Sequence, residues 1–291
     1  MNKPIATPSR TNEILETYDI FAKKNYGQNF LTEPSVVDKI ARHAILNDHC
    51  VVFEIGPGIG ALTQYLCEYA KKVIAFEIDE RLPAILNETL ADYDNFEVVL
   101  SDFLTIDLKE WVDRYKQAGF DVVIAANLPY YITTPILFKI FESNADISAI
   151  TVMMQKEVAD RFNAVVNTKD YNALSIITQY RCSVKQVMKV PKNVFHPKPK
   201  VDSAVLQFQF KHHDNEVKEA VFFPLVKACF KQRRKTILNN YGEYIEDKEK
   251  ARELLAKASI EVSRRAESME IDEFLNLYEV HKNEYKSICK D

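Results

Sequence analysis

Short apolar runs alternate with amphipathic stretches over the first two thirds of the chain. Val51-Val52-Phe53-Glu54-Ile55, Lys72-Val73-Ile74-Ala75-Phe76-Glu77, Glu97-Val98-Val99-Leu100-Ser101-Asp102 and Asp121-Val122-Val123-Ile124-Ala125-Ala126 are rich in β-branched and apolar residues. Runs that are apolar on both faces suit buried strands of a parallel sheet. Three more strands are expected over 147–154, 184–190 and 203–210. Helical spacing appears around Ile14, Leu15 and Tyr18, and again from Thr32-Glu33-Pro34-Ser35 with Val36, Val37, Ile40 and Ala44 inward. Further helices carry Leu62 and Leu66, or Trp111, or cover 155–162 and 171–182. A charged link over 211–216 follows, and everything after it reads as helix: 221–240, with Phe223, Val226, Phe230 and Ile237 on one face, then 246–257 and 271–280. The pattern predicts an α/β fold with a mostly parallel, seven-stranded sheet over 1–212 and a small all-α domain over 213–291.

The strand ends carry the candidate chemistry, because ligands of open α/β sheets bind at the carboxyl ends of strands. The first strand runs into Gly56-Pro57-Gly58-Ile59-Gly60-Ala61 and then a helix. Glycines there let backbone approach a ligand, and the helix start supplies free N–H groups. Gly56, Gly58 and Ala61 fit the dinucleotide pattern Gly-x-Gly-x-x-(Gly/Ala). Glu54 before the glycines and the extra Gly60 point elsewhere. The second strand ends on Glu77, whose carboxylate can accept both hydroxyls of a ribose. The third ends on Asp102, a candidate acceptor for an adenine amine. The fourth leads into Asn127-Leu128-Pro129-Tyr130, with Tyr131 next to it. Asn127 offers an amide, Pro129 fixes the turn and Tyr130 presents an aromatic face. Recurrence at four strand ends is harder to explain by packing than any one motif. Trp111 is read as a packing residue.

Composition narrows the partners. The 291 residues are 47% hydrophobic with a net charge of -4, so any nucleic-acid contact must come from local patches. One such patch is Lys227, Lys231 and Lys235 at every fourth position, with Arg233 and Arg234 at the apolar margins. Another is the loop from Val194 to Val201, where two prolines keep the chain extended around Phe195, Lys198 and Lys200. Phe195 suits either a hydrophobic plug or a base-stacking ring. Five scattered cysteines without a Cys-x-x-Cys pair favour reduced thiols, and the histidines, including adjacent His212-His213, have no metal-ligand spacing. The N-terminus is polar, without an apolar signal core, and no run approaches transmembrane length.

Taken together, these segments resemble the ribosomal RNA adenine dimethyltransferase family that modifies small-subunit rRNA, in its bacterial form. The resemblance runs from about Lys23 to the last helix. It rests on Gly27-Gln28-Asn29-Phe30-Leu31, the run from Glu54 to Gly60, Glu77, Asp102 and Asn127-Leu128-Pro129-Tyr130-Tyr131. Phe195-x-Pro-x-Pro-Lys-Val-Asp-Ser203, Gln232-Arg233-Arg234-Lys235 and Arg265-Ala266-Glu267 add to it. Tyr26 stands where the family more often has leucine, which bears on how the N-terminal loop packs.

The resemblance implies a Rossmann-like, S-adenosylmethionine-dependent methyltransferase. Asn29 and Leu31 would line the cofactor pocket, Gly56 would meet the amino-acid part, Glu77 the ribose, Asp102 the adenine amine, and Asn127 would join cofactor and substrate sites. Gln28, Glu54, Gly58 and Gly60 are assigned to the same cofactor site. Asn127, Leu128, Pro129 and Tyr130 would form the catalytic group, and Tyr130, Tyr131, Phe195, Lys231, Arg233, Arg234 and Lys235 would bind RNA. No metal is implied. The substrate would be two adjacent adenosines in the 3′-terminal hairpin of small-subunit rRNA, within an immature particle. A cytoplasmic monomer without a membrane partner is expected.

Three other readings share part of this pattern. A resistance-type methyltransferase acting on large-subunit rRNA would share Gly-Gln-Asn-Phe and Asn-x-Pro-Tyr; Asn-Leu-Pro-Tyr-Tyr-x-Thr-Thr-Pro and the Arg-Ala-Glu helix entry favour the small-subunit enzyme. An NAD-dependent dehydrogenase rests only on Gly-x-Gly-x-x-Ala and leaves Asn127–Tyr130 unexplained. A ribosome-assembly factor whose binding matters more than its methylation would use the same residues.

Overall fold

The computed structural model describes residues 3–20, 29–211 and 217–285. It contains two compact units, one made of Met1–Ala159 with Lys185–Phe210, the other of Asp160–Val184 with Lys211–Asp291. The expected division at 212/213 therefore needs correction, since 160–184 groups with the C-terminal helices.

The first unit opens with Ile5 and Ala6 buried, the Ile5 N–H donating to Gln64 Oε1 at 2.8 Å. The N-terminal arm is thus part of the core. Helix α1 (Pro8–Thr17) is capped by the Thr7 hydroxyl, which accepts the Arg10 N–H. Strand β1 (Phe30–Leu31) leads into α2 (Pro34–Ala44), where Glu33 caps, Pro34 starts the helix, and Val37, Ile40, Ala41 and Ala44 are buried. Then come β2 (Cys50–Ile55), α3 (Ala61–Tyr69), β3 (Lys72–Glu77), α4 (Leu82–Thr89), β4 (Phe96–Leu100), α5 (Leu108–Gln117), β5 (Asp121–Asn127), α6 (Thr133–Glu142) and β6 (Ala149–Gln155). The expected third strand is shorter than its apolar run: Ser101 and Asp102 lie beyond β4. α4 and α6 were not among the expected helices.

After β6 the chain forms α7 (Lys156–Phe162) and α8 (Ala173–Arg181), then β7 (Cys182–Val190), β8 (Phe195–His196) and β9 (Ser203–Phe210). The seven-stranded sheet has the order β4-β3-β2-β5-β6-β9-β7. The pairs β4·β3, β3·β2, β2·β5 and β5·β6 are parallel, and β9 joins β6 antiparallel. All six residues of β2, an interior strand flanked by β3 and β5, are buried, and all but Glu54 are apolar. Trp111 does pack: its ring meets Phe76 edge-on at 5.2 Å, and Phe53 lies 5.6 Å from Phe76. A separate two-stranded ribbon pairs Phe30 with His196 and Leu31 with Phe195.

The second unit adds α9 (Glu219–Cys229), α10 (Ile237–Tyr244), α11 (Lys248–Lys257) and α12 (Ile271–Glu284). Residues 160–184 belong here for a physical reason. The Tyr171 hydroxyl donates to the Met269 carbonyl at 2.9 Å, the Asn167 N–H donates to the Glu267 carbonyl at 2.9 Å, and Tyr180 packs on Phe222 with ring centroids 5.2 Å apart. The expected continuous helix over 221–240 is two helices. The cationic run Lys231-Gln232-Arg233-Arg234-Lys235 has no apolar side to bury. The break is held by the Asn240 amide, which donates to the carbonyls of Cys229 (2.7 Å) and Gln232 (3.1 Å). Lys227, Lys231 and Lys235 therefore do not form one helical stripe.

Candidate active site

The strand ends predicted from sequence converge on one cleft of about 1150 Å³, counting its open mouth. Its walls include Asn29, Leu31, Glu54, Gly56, Gly58, Glu77, Asp102, Phe195 and the run Asn127 to Tyr131. Gly60 is not on its wall. Gln28 lies outside the described residues. The parallel register explains the convergence, since Ile55 pairs with Phe76 and Ala126, and Glu77 pairs with Leu100.

The glycine turn is built for close approach. Gly56, Gly58 and Gly60 have φ of 67°, 61° and 90°, in the left-handed region that side chains disfavour. Their surroundings differ. A Cβ on Gly56 would meet nothing within 4 Å, whereas one on Gly60 would lie 3.0 Å from Leu86 and 3.2 Å from Leu90. Gly56 thus borders open space, while Gly60 lets α3 pack against α4.

Two carboxylates face this turn. Glu77 is 5% exposed and accepts the N–H groups of Ile78 and Asp79 on one oxygen (2.9 Å each) and of Gly58 on the other (3.3 Å). Burial raises its carboxyl above the usual range, and the three N–H groups oppose that shift. Glu54 is 1% exposed and its Oε2 has no hydrogen-bond partner; the Thr63 hydroxyl is likewise buried and unpartnered. Burial pushes Glu54 up to about 8. A buried carboxyl with one oxygen left unpartnered at a cleft wall is a costly arrangement that an incoming polar ligand would relieve.

Asp102 closes its own loop: Oδ1 accepts the Leu104 N–H at 2.8 Å. At the end of β5, Asn127 pairs with Met153 and makes no side-chain hydrogen bond to a described residue. The Pro129 carbonyl is already engaged by the Ile132 N–H and the Thr133 hydroxyl, both at 3.2 Å. The Leu128 carbonyl has no such partner among the described residues. Tyr130 is half-buried with its hydroxyl 2.9 Å from Ser203 Oγ, while Tyr131 is 59% exposed. Phe195 is buried in the core cluster and also lines the cleft. It is held by the β1–β8 ribbon and by Thr32, whose N–H and hydroxyl donate to the Val194 carbonyl at 2.9 and 3.1 Å.

Lys231, Arg233 and Lys235 in the second unit are exposed and partnered. Lys231 and Lys235 reach Glu243 at 2.7 and 3.7 Å, and Arg233 reaches Glu267 at 2.8 Å. Arg233 and Arg234 are on the surface rather than at the apolar margin of a helix. Sequence reasoning did not assign Phe30, Ile78, Phe103 or Ser203 to the site. The first three line the cleft. Ile78, an apolar residue 50% exposed directly after Glu77, is the one with a readable signal.

A mostly parallel sheet with a glycine turn after β2, acids at or just past the ends of β3 and β4 and Asn-Leu-Pro-Tyr at the end of β5 defines a Rossmann-like methyltransferase. The sequence profile of the family described as ribosomal RNA adenine dimethylase matches residues 21–283. The chain belongs to that family. It is similar to the ribosomal RNA small subunit methyltransferase A of Bacillus pumilus, 46% identical over 286 residues, covering 96% of this chain and 98% of the relative. The protein of the same name from Staphylococcus aureus is 45% identical over 290 residues, covering 97% of each. Among solved structures, a dimethyladenosine transferase from Plasmodium falciparum superposes with a TM-score of 0.74 at 28% identity, covering 87% of this chain and 97% of its own. The 23S rRNA methyltransferase ErmE superposes at 0.67 with 27% identity, covering 87% and 99%. Among the described residues, no helix is long and apolar enough to cross a membrane, and no cluster of potential metal ligands occurs.

Proposed function

We propose that this chain transfers methyl groups from S-adenosylmethionine to N6 of two adjacent adenosines in the 3′-terminal hairpin of small-subunit rRNA, giving N6,N6-dimethyladenosine late in subunit assembly. The observation that carries this reading is one cleft walled both by Glu77 and Asp102 and by Asn127, Leu128 and Tyr130. The small-subunit substrate is supported by relatives of that name at 45–46% identity, against 27% for the 23S enzyme.

The residues present fit the cofactor. Open space at Gly56 admits its amino-acid part, and the unpartnered Glu54 oxygen suits its ammonium. Glu77 retains lone pairs for the ribose hydroxyls, and the second oxygen of Asp102 is left for the adenine amine. When bound, S-adenosylmethionine supplies an electrophilic methyl group on a sulfonium.

The chain's own task is to prepare the acceptor. An adenine amine is a poor nucleophile because its lone pair is delocalised into the ring. Its two N–H groups would donate to the Asn127 side-chain oxygen and the Leu128 carbonyl; the Pro129 carbonyl is spent on α6. Those bonds favour a pyramidal nitrogen and aim its lone pair, which is catalysis by orientation and local electrostatics. No strong base is needed beforehand, since the amine proton becomes acidic as the nitrogen gains positive charge. The target base must leave its stack, and Tyr130 would hold it, with Phe195 as the second ring. Stacking of this kind is worth roughly 1–3 kcal/mol per base.

The direct test is labelled methyl transfer from S-adenosylmethionine to unmethylated small subunits, with large subunits in parallel. About four methyl groups per small subunit, on two adenosines, are expected from dimethylation of extruded bases. Transfer to large-subunit RNA alone would overturn the assignment.

A further inference from the structure

Lys139 sits on α6 and holds the loop that follows Asp102. Its Nζ donates to the Leu104 carbonyl at 2.9 Å and to the Ile106 carbonyl at 2.7 Å. That loop is closed on Asp102 from the other side. The Leu104 N–H donates to Asp102 Oδ1, and the Asp102 carbonyl accepts both the N–H and the hydroxyl of Thr105 at 2.9 Å. The loop therefore has two anchors, Asp102 at its start and Lys139 across from it. Lys139 is half-buried and makes no ion pair with a described residue. An ammonium has three donors, and two of them are committed to backbone carbonyls that would otherwise need water.

The other end of the same helix carries the target-base loop. α6 begins at Thr133, and the Thr133 hydroxyl and Ile132 N–H tie its first turn to the Pro129 carbonyl. One rigid element thus anchors Asn127–Tyr130 at its N-terminal end and the Asp102 loop through its later turns. Most of the remaining contacts of α6 are apolar, through Ile136, Leu137, Ile140 and Phe141, and such contacts do not fix the placement of a polar loop.

We propose that Lys139 is a positioning residue for cofactor binding: through the Leu104 and Ile106 carbonyls it fixes the Asp102 loop to the helix that presents the target-base loop. The inference rests on the cofactor reading above, in which Asp102 meets the cofactor adenine. It makes Lys139 responsible for cofactor affinity while leaving the transfer geometry at Asn127 untouched.

The test uses the full-length chain and S-adenosylmethionine, by calorimetry and by steady-state transfer. Lys139→Met keeps the apolar stem and removes the donors. It is expected to weaken S-adenosylmethionine binding about tenfold, a fraction of what two charge-assisted hydrogen bonds are worth, because the loop keeps its anchor at Asp102. KM for the cofactor should rise in parallel, with kcat at saturating cofactor and RNA affinity unchanged. Lys139→Arg should restore most of the affinity. In a cycle with Asp102→Ala, the two losses should not add, because both act through one loop. Lys139→Leu, which also removes the donors, carries the same test if the Met variant does not fold. Wild-type affinity in Lys139→Met, additive losses in the cycle, or an equal fall in kcat and RNA affinity would each overturn the inference alone. A wild-type chain that binds no S-adenosylmethionine would overturn the cofactor reading, and the inference with it.

Discussion

The Tyr130 hydroxyl lies 2.9 Å from Ser203 Oγ and joins the loop after β5 to the first residue of β9. A tyrosine ring otherwise swings about its Cα–Cβ bond; tied at its far end, its long axis stays in place. Ser203 is buried, so its hydroxyl has little competing water. Tyr130→Ala should lower kcat/KM for RNA about ten- to a hundredfold, the equivalent of a lost base stack. Tyr130→Phe and Ser203→Ala should each cost only a few-fold, and the double variant no more than either one. Single-turnover methyl transfer measures all four. Additive losses would show that the hydroxyl and Ser203 act separately.

Glu54 makes the stability of the cofactor-free protein depend on pH. Its ordinary value is 4.5 and burial pushes it up to about 8. Between those values the native state keeps a proton that the unfolded chain releases. Stability is therefore greatest below about pH 4.5 as far as this group is concerned, falls as pH rises, and levels off above about pH 8. Glu77 is shifted in the same direction and leaves a residual slope. Glu54→Gln should be flatter than wild type in thermal melts at pH 5, 6.5 and 8, and more stable at pH 8. Identical slopes would place the titration elsewhere.

The two glycines of the turn should fail differently. Gly56→Ala adds a methyl to open space at the cost of left-handed strain, about 1 kcal/mol. The protein should fold and lose S-adenosylmethionine affinity. Gly60→Ala drives a methyl against Leu86 and Leu90 and should lower the melting temperature more than Gly56→Ala does. Melting curves with and without cofactor separate the two. A Gly60→Ala protein as stable as Gly56→Ala would contradict the packing account.

Contact of Lys231 and Lys235 with RNA, which the family resemblance implies, would displace existing ion pairs. Exposed pairs such as Lys231–Glu243 and Lys235–Glu243 contribute about 0–1 kcal/mol, so phosphate can replace the glutamate at little cost. Lys231→Glu with Lys235→Glu should weaken particle binding and reduce the slope of log K against log salt by about two. Glu243→Gln should strengthen binding at low salt. A slope unchanged in the double variant would exclude both lysines from the interface.

Much of the sheet was legible because its chemistry is local. A strand buried on both faces is apolar on both, as β2 is apart from Glu54 and as β5 is between Asp121 and Asn127, and polarity returns where the strand reaches a cleft, as at Glu77 and Asn127. α6 went unread although its signal is present: Thr133, Ile136, Leu137, Ile140 and Phe141, all buried, recur at i, i+3, i+4, i+7 and i+8 on one face, and Phe138 on the other side blurs the stripe. The cationic run after Phe230 misled in the opposite direction: its four-residue spacing imitates a helix face, yet Asn240 stops α9 there. The grouping of 160–184 with the C-terminal helices depends on what Tyr171 and Tyr180 touch, and periodicity says which side of a helix is apolar but not what it meets. The links from Tyr130 to Ser203 and from Lys139 to Leu104 span 73 and 35 residues and leave no local trace.

The β1–β8 ribbon sets the order in which this protein can become competent. Phe30 and Leu31 are translated early, but their strand partners are His196 and Phe195. The wall that carries Asn29, Phe30 and Phe195 is closed only when the chain has returned to its beginning, and β9 must also arrive to supply Ser203 for Tyr130. Contacts this distant in sequence form late and slowly. A nascent chain that stops after β6 would contain the glycine turn, Glu77, Asp102 and Asn127, yet lack one side of the chamber they face. The site is complete only once the chain has extended past β9.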